Sequence, residues 1–194
     1  MKTFVITLGH RIERFREKMN GILEFKEFKA FNRNQINDVI DLFEYSDIYK
    51  YTNLYDIYAV MACAKSHMYL WKKCIELDEK ILILEDDVIF YNEEAKQLFK
   101  TFDFDSIEFD IFYLDGKLVD EPYKVQSAYP FHSGCAYIIT PRAAQILLNK
   151  VEKRGFTRAL DWEMIMMRNE GIDSKSFNNI VIVPEAGQSS SIKL

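Results

Sequence analysis

The chain has 194 residues and a mass of 22.9 kDa, which suits one domain and leaves little room for two independent cores. The 30 acidic residues outnumber the 25 Lys and Arg residues, so the formal net charge is −5 and general nucleic-acid binding is not expected. Hydrophobic residues make up 48% of the chain and aromatic residues 14%. That content supports a sizeable core and excludes an intrinsically disordered protein.

Short apolar runs and helical spacings predict an alternation of strands and helices. In the first part of the chain we expect strands at 4–8 and 22–28, and helices at 11–20 and around 34–43. Residues 56–77 carry apolar side chains at steps of three and four, which predicts a long amphipathic helix.

The second part of the chain continues the alternation. Residues 81–84 form a continuous apolar run, which is typical of a strand covered on both faces. Further strands are predicted at 110–114, 136–139 and 180–183, and helices at 93–102, at 141–153 after the cap Thr140, and at 162–169 after the cap Asp161. The pattern predicts an α/β fold with a mostly parallel sheet, in a single domain over residues 1–194.

The three cysteines do not form a disulfide framework. Cys63 and Cys74 lie eleven positions apart in one predicted helix, which places them about 16 Å apart along its axis, beyond disulfide reach. No CxxC pair is present, which favours a reducing compartment and argues against a structural zinc site. We expect no signal peptide and no transmembrane segment, and therefore a cytoplasmic protein. Peripheral membrane association and the oligomeric state are left open.

The acids Glu85, Asp86 and Asp87 follow the buried strand at 81–84 directly. Ligands of open α/β sheets bind at the carboxyl ends of the strands. Three adjacent carboxylates repel one another there unless a cation compensates them, and oxygen ligands of this kind suit Mg²⁺ or Mn²⁺. Glu85 and Asp87 lie on the same side of an extended chain and can face one ligand together. The alternative is an acidic turn in solvent.

Several segments together resemble glycosyltransferase family 25, the lipooligosaccharide and collagen galactosyltransferase-like family. The segment Ile81-Leu82-Ile83-Leu84-Glu85-Asp86-Asp87-Val88 is similar to its I-L-E-D-D-V motif. Other similar segments follow in the family's order: 5–8 with Arg11 and Arg14, 28–32, 62–71, 133–140, 143–148, and 183–184 with Gln188, Ser191 and Ile192. The ordered set spans nearly the whole chain and is more specific than any single motif.

The resemblance implies a GT-A-like, Rossmann-type sheet flanked by helices, a nucleotide-sugar donor and a Mn²⁺ or Mg²⁺ ion. It implies Asp87 as the main metal ligand, assisted by Asp86, while Glu85 or Asp86 holds the ribose or sugar. The expected reaction moves a hexose, with galactose as first choice, from a UDP-sugar to a saccharide or protein hydroxyl with inversion. The alternative is an inactive GT-A-like domain that binds a nucleotide-sugar.

The same resemblance assigns further residues to the donor. They are Thr7 and Leu8 at the end of the first strand, Arg11 after it, the segment Ala30, Phe31 and Asn32, and His67 in the long helix. Arg11 can pair with phosphate or stack on a base, whereas Arg14 is interpreted as part of a solvated helix face. His67 points toward the sheet, so a role near the diphosphate competes with that of an ordinary core histidine.

An inverting transfer also needs a base for the acceptor hydroxyl. Asp161-Trp162-Glu163 resembles the acidic helix start of inverting enzymes, with Asp161 as first choice and Glu163 as second. A plain helix N-cap is the competing role for Asp161. A different class of protein, the receiver domain, also carries acids after a strand, and Asp115 would then accept a phosphoryl group. Some eighty residues precede these acids here, which disfavours that reading.

Overall fold

A computed structural model describes residues 1–44, 46–51, 56–116, 122–128, 133–166 and 170–185. The strands are β1 (Lys2–Thr7), β2 (Lys26–Lys29), β3 (Ile81–Glu85), β4 (Val88–Phe90), β5 (Ile111–Tyr113), β6 (Val125–Ser127), β7 (Ala136–Ile139), β8 (Ser174–Phe177) and β9 (Ile182–Pro184). The α-helices are α1 (Ile12–Met19), α2 (Ile57–Leu77), α3 (Glu93–Thr101), α4 (Pro141–Arg154) and α5 (Leu160–Met166).

The central sheet has the strand order β2-β1-β3-β7-β5-β8-β6 within the described residues. Strand β1 pairs in parallel with β2 and β3, and β5 pairs in parallel with β8. Strand β7 runs antiparallel between β3 and β5, and β6 runs antiparallel to β8. The predicted α/β fold with a mostly parallel, Rossmann-type sheet is therefore confirmed, and the antiparallel strands do not fit the doubly wound order of a receiver domain.

The core lies on both faces of this sheet. On β3, Ile81 and Ile83 pack in the cluster that includes α2 and α4, while Leu82 and Leu84 pack in the cluster that includes α1 and α3. All four side chains are 0% exposed. The continuous apolar run of β3 is thus explained by helices on each side of the strand.

Side-chain caps begin two of the long helices, and the cap predicted at Thr140 is confirmed. The Asp56 side chain accepts a hydrogen bond from the backbone N–H of Ala59 at the start of α2. Thr140 accepts one from Ala143, with Pro141 in the first turn of α4. Each cap satisfies a backbone donor that the first helical turn leaves unpaired. No helix among the described residues is both long and apolar enough to cross a bilayer.

Two helix predictions need correction. The helix expected around 34–43 is a short 3₁₀ helix, Ile40–Phe43, preceded by turns. The Asn32 side chain accepts from the backbone N–H of Asn34, a local bond that competes with helix formation. Asp161 is the second residue of α5 rather than its cap, and residues 167–169 of the predicted helix lie outside the described ranges.

Candidate active site

A cleft opens where β1 and β3 end, beside the amino-terminal half of α2. Its lining includes Asp87 and every predicted donor-binding residue except His67, namely Thr7, Leu8, Arg11, Ala30, Phe31, Asn32, Glu85 and Asp86. The carboxyl ends of parallel strands meet at one edge of a sheet, which brings these distant segments together.

The ends of β1 and β3 are tied together by main-chain and side-chain bonds. The backbone N–H of Asp86 donates to the carbonyl of Ile6 at 3.1 Å, and the Thr7 hydroxyl donates to a carboxylate oxygen of Asp86. The Thr7 hydroxyl in turn accepts from the backbone N–H of Gly9. On the other side, the N–H of Glu85 donates to the carbonyl of Cys135 at 2.8 Å. Thr7 therefore fixes the orientation of Asp86 at the rim of the cleft.

Asp87 has one paired and one unpaired carboxylate oxygen. Its Oδ2 lies 3.3 Å from the guanidinium of Arg11, whereas its buried Oδ1 has no hydrogen-bond partner within the described part of the chain. Burial raises the pKa of Asp87 to about 6; the negative charge of Glu85 adds to the rise, and Arg11 opposes it. An orphaned buried oxygen among three acids fits a hard divalent cation, which would neutralise the charge and satisfy that oxygen.

Cys63, His67 and Glu85 meet behind the acidic strand end. Glu85 Oε1 accepts from the Cys63 thiol at 3.7 Å and lies 3.5 Å from His67 Nε2. His67 is 0% exposed, and its Nδ1 lies 2.8 Å from the hydroxyl of Tyr137 on β7. Burial, followed by the charges of Glu85 and Asp161, raises the pKa of the Cys63 thiol well above its usual range. His67 is therefore a buried core residue behind the wall of the cleft and does not line it.

The segment after β2 forms the opposite side of the cleft. The N–H of Ala30 donates to the carbonyl of Thr7 at 2.8 Å, and the N–H of Phe31 donates to the Ser66 hydroxyl at 3.1 Å. The Phe31 ring lies 4.2 Å from the ammonium nitrogen of Lys65. These contacts hold a flat aromatic ring at the cleft, while Leu8 on the neighbouring strand end is 48% exposed.

The two candidate bases occupy different environments. Asp161 is half-buried, and burial raises its pKa; a hydrogen bond from the backbone N–H of Trp162 opposes this, and the charges of Glu85 and Asp115 add to it. Glu163 is buried and accepts hydrogen bonds from Arg154 and from the N–H groups of residues 157 and 158. Those bonds hold Glu163 in the interior, and neither Asp161 nor Glu163 is among the residues that line the cleft.

Several residues of the site were not selected from the sequence. Ala59, Ala62, Cys63 and Ser66 line the cleft from α2, at the three- and four-residue spacing of one helical stripe. That spacing was visible in the sequence. Arg14 lies outside the lining; its guanidinium is 55% exposed and pairs with Glu185, as a solvated helix face would.

Comparisons with known proteins identify the family of the chain. The family model described as glycosyltransferase family 25 (LPS biosynthesis protein) matches residues 1–164, which include the whole cleft and β3. No curated protein matches the chain significantly. Among solved structures, the protein A197 from STIV aligns with 100% of this chain and 99% of its own, at 10% identity and a TM-score of 0.44, too distant a likeness to indicate function.

The matched range excludes part of the resemblance noted in the sequence. Residues 183–184 lie beyond residue 164, and Gln188, Ser191 and Ile192 lie outside the described residues as well. The acidic motif, the α2 segment and the β7 segment all fall inside the match. The match covers most of the chain, and we conclude that the chain belongs to glycosyltransferase family 25 and is a glycosyltransferase.

Proposed function

We propose that the chain transfers a hexose, galactose as first choice, from a UDP-sugar to a hydroxyl of a saccharide or protein acceptor, with inversion and with a divalent cation. The finer assignment to the GT-A type of this fold belongs to the same proposal. The family match supports the glycosyl transfer itself. The donor, the cation and the stereochemistry rest on the arrangement of the cleft.

The observation that carries the proposal is the orphaned oxygen of Asp87. A buried carboxylate oxygen without a hydrogen-bond partner, next to Glu85 and Asp86, destabilises the folded protein unless a ligand binds to it. Asp87 and Asp86 are the residues that would hold Mn²⁺ or Mg²⁺. When bound, such an ion supplies charge neutralisation for the diphosphate and for the UDP leaving group.

Different residues of the cleft would bind different parts of the donor. Arg11, now paired with Asp87, is placed to turn toward a phosphate once a cation takes over the charge of that carboxylate. Phe31 presents an aromatic face on which the uracil base can stack, and Asn32 offers amide groups beside it. Glu85 or Asp86 would accept hydrogen bonds from the ribose or sugar hydroxyls.

Asp161 is the proposed base. Its carboxylate would take the proton from the acceptor hydroxyl as that oxygen bonds to the anomeric carbon and the bond from this carbon to UDP breaks. Burial raises its pKa, which strengthens it as a base relative to an ordinary aspartate. Glu163 remains the second choice, although its oxygens are engaged by Arg154 and the backbone.

Calorimetric titration with UDP, with and without Mn²⁺, tests the proposal. We expect metal-dependent binding for the parent and its loss in Asp87→Asn. Asp105→Asn is a matched control, since Asp105 pairs with Lys80 near the amino end of β3, at the opposite edge of the sheet. If Asp87→Asn binds UDP with Mn²⁺ as tightly as the parent does, the assignment fails.

A donor screen separates the proposed enzyme from an inactive binding domain. UDP-galactose, UDP-glucose and UDP-N-acetylglucosamine would be incubated with Mn²⁺, and release of UDP would be followed. Hydrolysis or transfer with one of them supports the enzyme. Tight, metal-dependent binding of all three without turnover supports the inactive domain. Phosphorylation of Asp115 by acetyl phosphate would support the receiver reading instead.

A further inference from the structure

We infer that Cys63, His67 and Glu85 form a second cation site, which takes a borderline-soft divalent ion such as Zn²⁺ and is distinct from the proposed site on Asp86 and Asp87. One thiol, one imidazole and one carboxylate are brought together by α2 and the end of β3. The inference does not depend on the donor or on the transfer reaction.

The geometry of the three ligand atoms fits a tetrahedral ion. Cys63 Sγ, a ring nitrogen of His67 and a Glu85 oxygen all lie within 4.8 Å of one another. Glu85 Oε1 is 3.7 Å from the sulfur and 3.5 Å from the imidazole nitrogen. Ligands about 2.0–2.3 Å from a tetrahedral zinc are about 3.3–3.8 Å apart, so two edges of the tetrahedron are already present.

The histidine supplies an independent reason to expect a ligand. His67 is 0% exposed, yet its Nε2 has no hydrogen-bond partner within the described residues and points at Glu85 and Cys63. Its other nitrogen, Nδ1, lies 2.8 Å from the Tyr137 hydroxyl, which also accepts from the Trp71 indole N–H. If Nδ1–H donates to the remaining lone pair of that oxygen, Nε2 keeps its own lone pair for a metal.

The sequence did not show this site because its pattern is not that of a zinc finger. Cys63 and His67 are four residues apart, one helical turn on the same face of α2, and the third ligand comes from a strand eighteen residues further on. Three protein ligands leave one coordination position, as in zinc sites that also hold water. Cys63 and Glu85 line the cleft, so that position opens toward it.

Cobalt absorption is the test, because Co²⁺ substitutes for Zn²⁺ and reports thiolate coordination directly. The full chain, reduced and stripped of metal, would be titrated with Co²⁺. We expect sulfur-to-cobalt charge-transfer absorption and the intense visible bands of four-coordinate cobalt, saturating at one equivalent and abolished by Zn²⁺. Cobalt held only by carboxylates gives no charge-transfer absorption, and that result would overturn the proposal.

Variants identify the ligands. Cys63→Ser should lose the charge-transfer absorption, and Cys74→Ser, on the same helix, should keep it. Cys135→Ser should also keep it; loss there instead of in Cys63→Ser would refute the site. Tyr137→Phe keeps the ring but removes the hydroxyl that positions His67, and should weaken Zn²⁺ binding by about 10–100-fold, the usual effect of an outer-shell partner.

Two measurements keep the result independent of folding defects and of the proposed transferase site. In the unaltered protein, Zn²⁺ should slow alkylation of Cys63, read by mass spectrometry, without changing that of the buried Cys74. Equal alkylation with and without Zn²⁺ would contradict the proposal. Asp87→Asn should keep the cobalt spectrum whether or not it still binds UDP with Mn²⁺, so each site can fail without the other.

Discussion

Replacing Asp87 with asparagine should stabilise the metal-free protein at neutral pH. Burial and the charge of Glu85 hold the pKa of Asp87 at about 6 in the folded state, against 3.8 for an ordinary aspartate. The carboxyl group is only 14% exposed, so solvent screens it little. At neutral pH the folded protein therefore carries a buried negative charge at Asp87, although burial favours the protonated form of the carboxyl group.

The magnitude follows from proton linkage. Between pH 3.8 and about 6, the folded state binds more protons at Asp87 than the unfolded state does, so stability falls as pH rises through this interval. The pKa difference corresponds to about 3 kcal/mol at pH 7. Asparagine removes the charge, and the variant should gain a sizeable part of that amount at pH 7 and progressively less as the pH approaches 4.

Urea denaturation in the presence of EDTA, from pH 4 to pH 7, measures both proteins. The difference between variant and parent isolates Asp87 from other titrating groups, such as Asp161. If the proposed cation site includes Asp87, Mn²⁺ should make the parent the more stable protein at pH 7, because only the parent keeps that carboxylate. A variant that is equally or less stable at pH 7 without metal would refute the view that Asp87 is held in a strained, desolvated state.

Three further predictions concern the proposed base Asp161, the buried side chain of Glu163, and Gly155. Asp161→Asn should keep UDP affinity and lose transfer, measured by titration and by product formation; unchanged turnover would place the base elsewhere. Glu163→Gln should lower the free energy of unfolding by about 2 kcal/mol, because it weakens the charge-assisted hydrogen bonds of this buried side chain, and should leave UDP affinity unchanged. The control Glu152→Gln, at an exposed position, should have little effect on stability. Gly155→Ala should be more destabilising than Gly171→Ala, since both have positive φ but only the first places a Cβ 2.4 Å from a backbone carbonyl oxygen; equal losses of stability in urea would contradict this.

Much of the donor side of the molecule could be predicted because its signals are local. The apolar stripe of α2, and the apolar run of β3 with its acidic end, each depend on neighbours within a few residues. Segments far apart in sequence, such as Thr7 and Phe31, were joined to the site by resemblance, and the parallel pairing of β1 with β2 and β3 explains why they meet.

The rest depends on tertiary partners. Strand β8 reads Ser-Lys-Ser-Phe and β6 reads Val-Gln-Ser, so neither has an apolar run, and both form because a neighbouring strand offers backbone hydrogen bonds. The direction of β7 is likewise set by its connections and not by its residues. The sequence suggested Glu163 as the second-choice base and could not reveal that Arg154 would lie beside it.

The antiparallel direction of β7 decides which residues meet at the rim of the cleft. Because β7 starts where β3 ends, the chain that enters β7 at Ser133 and Cys135 reaches the same rim as Glu85. Thr7 ends β1, which pairs with the other edge of β3, whereas Asp86 and Asp87 directly follow β3. A change in residues 133–135 would therefore act on the Glu85 side of the cleft wall and leave the hydrogen bonds between β1 and the end of β3 in place.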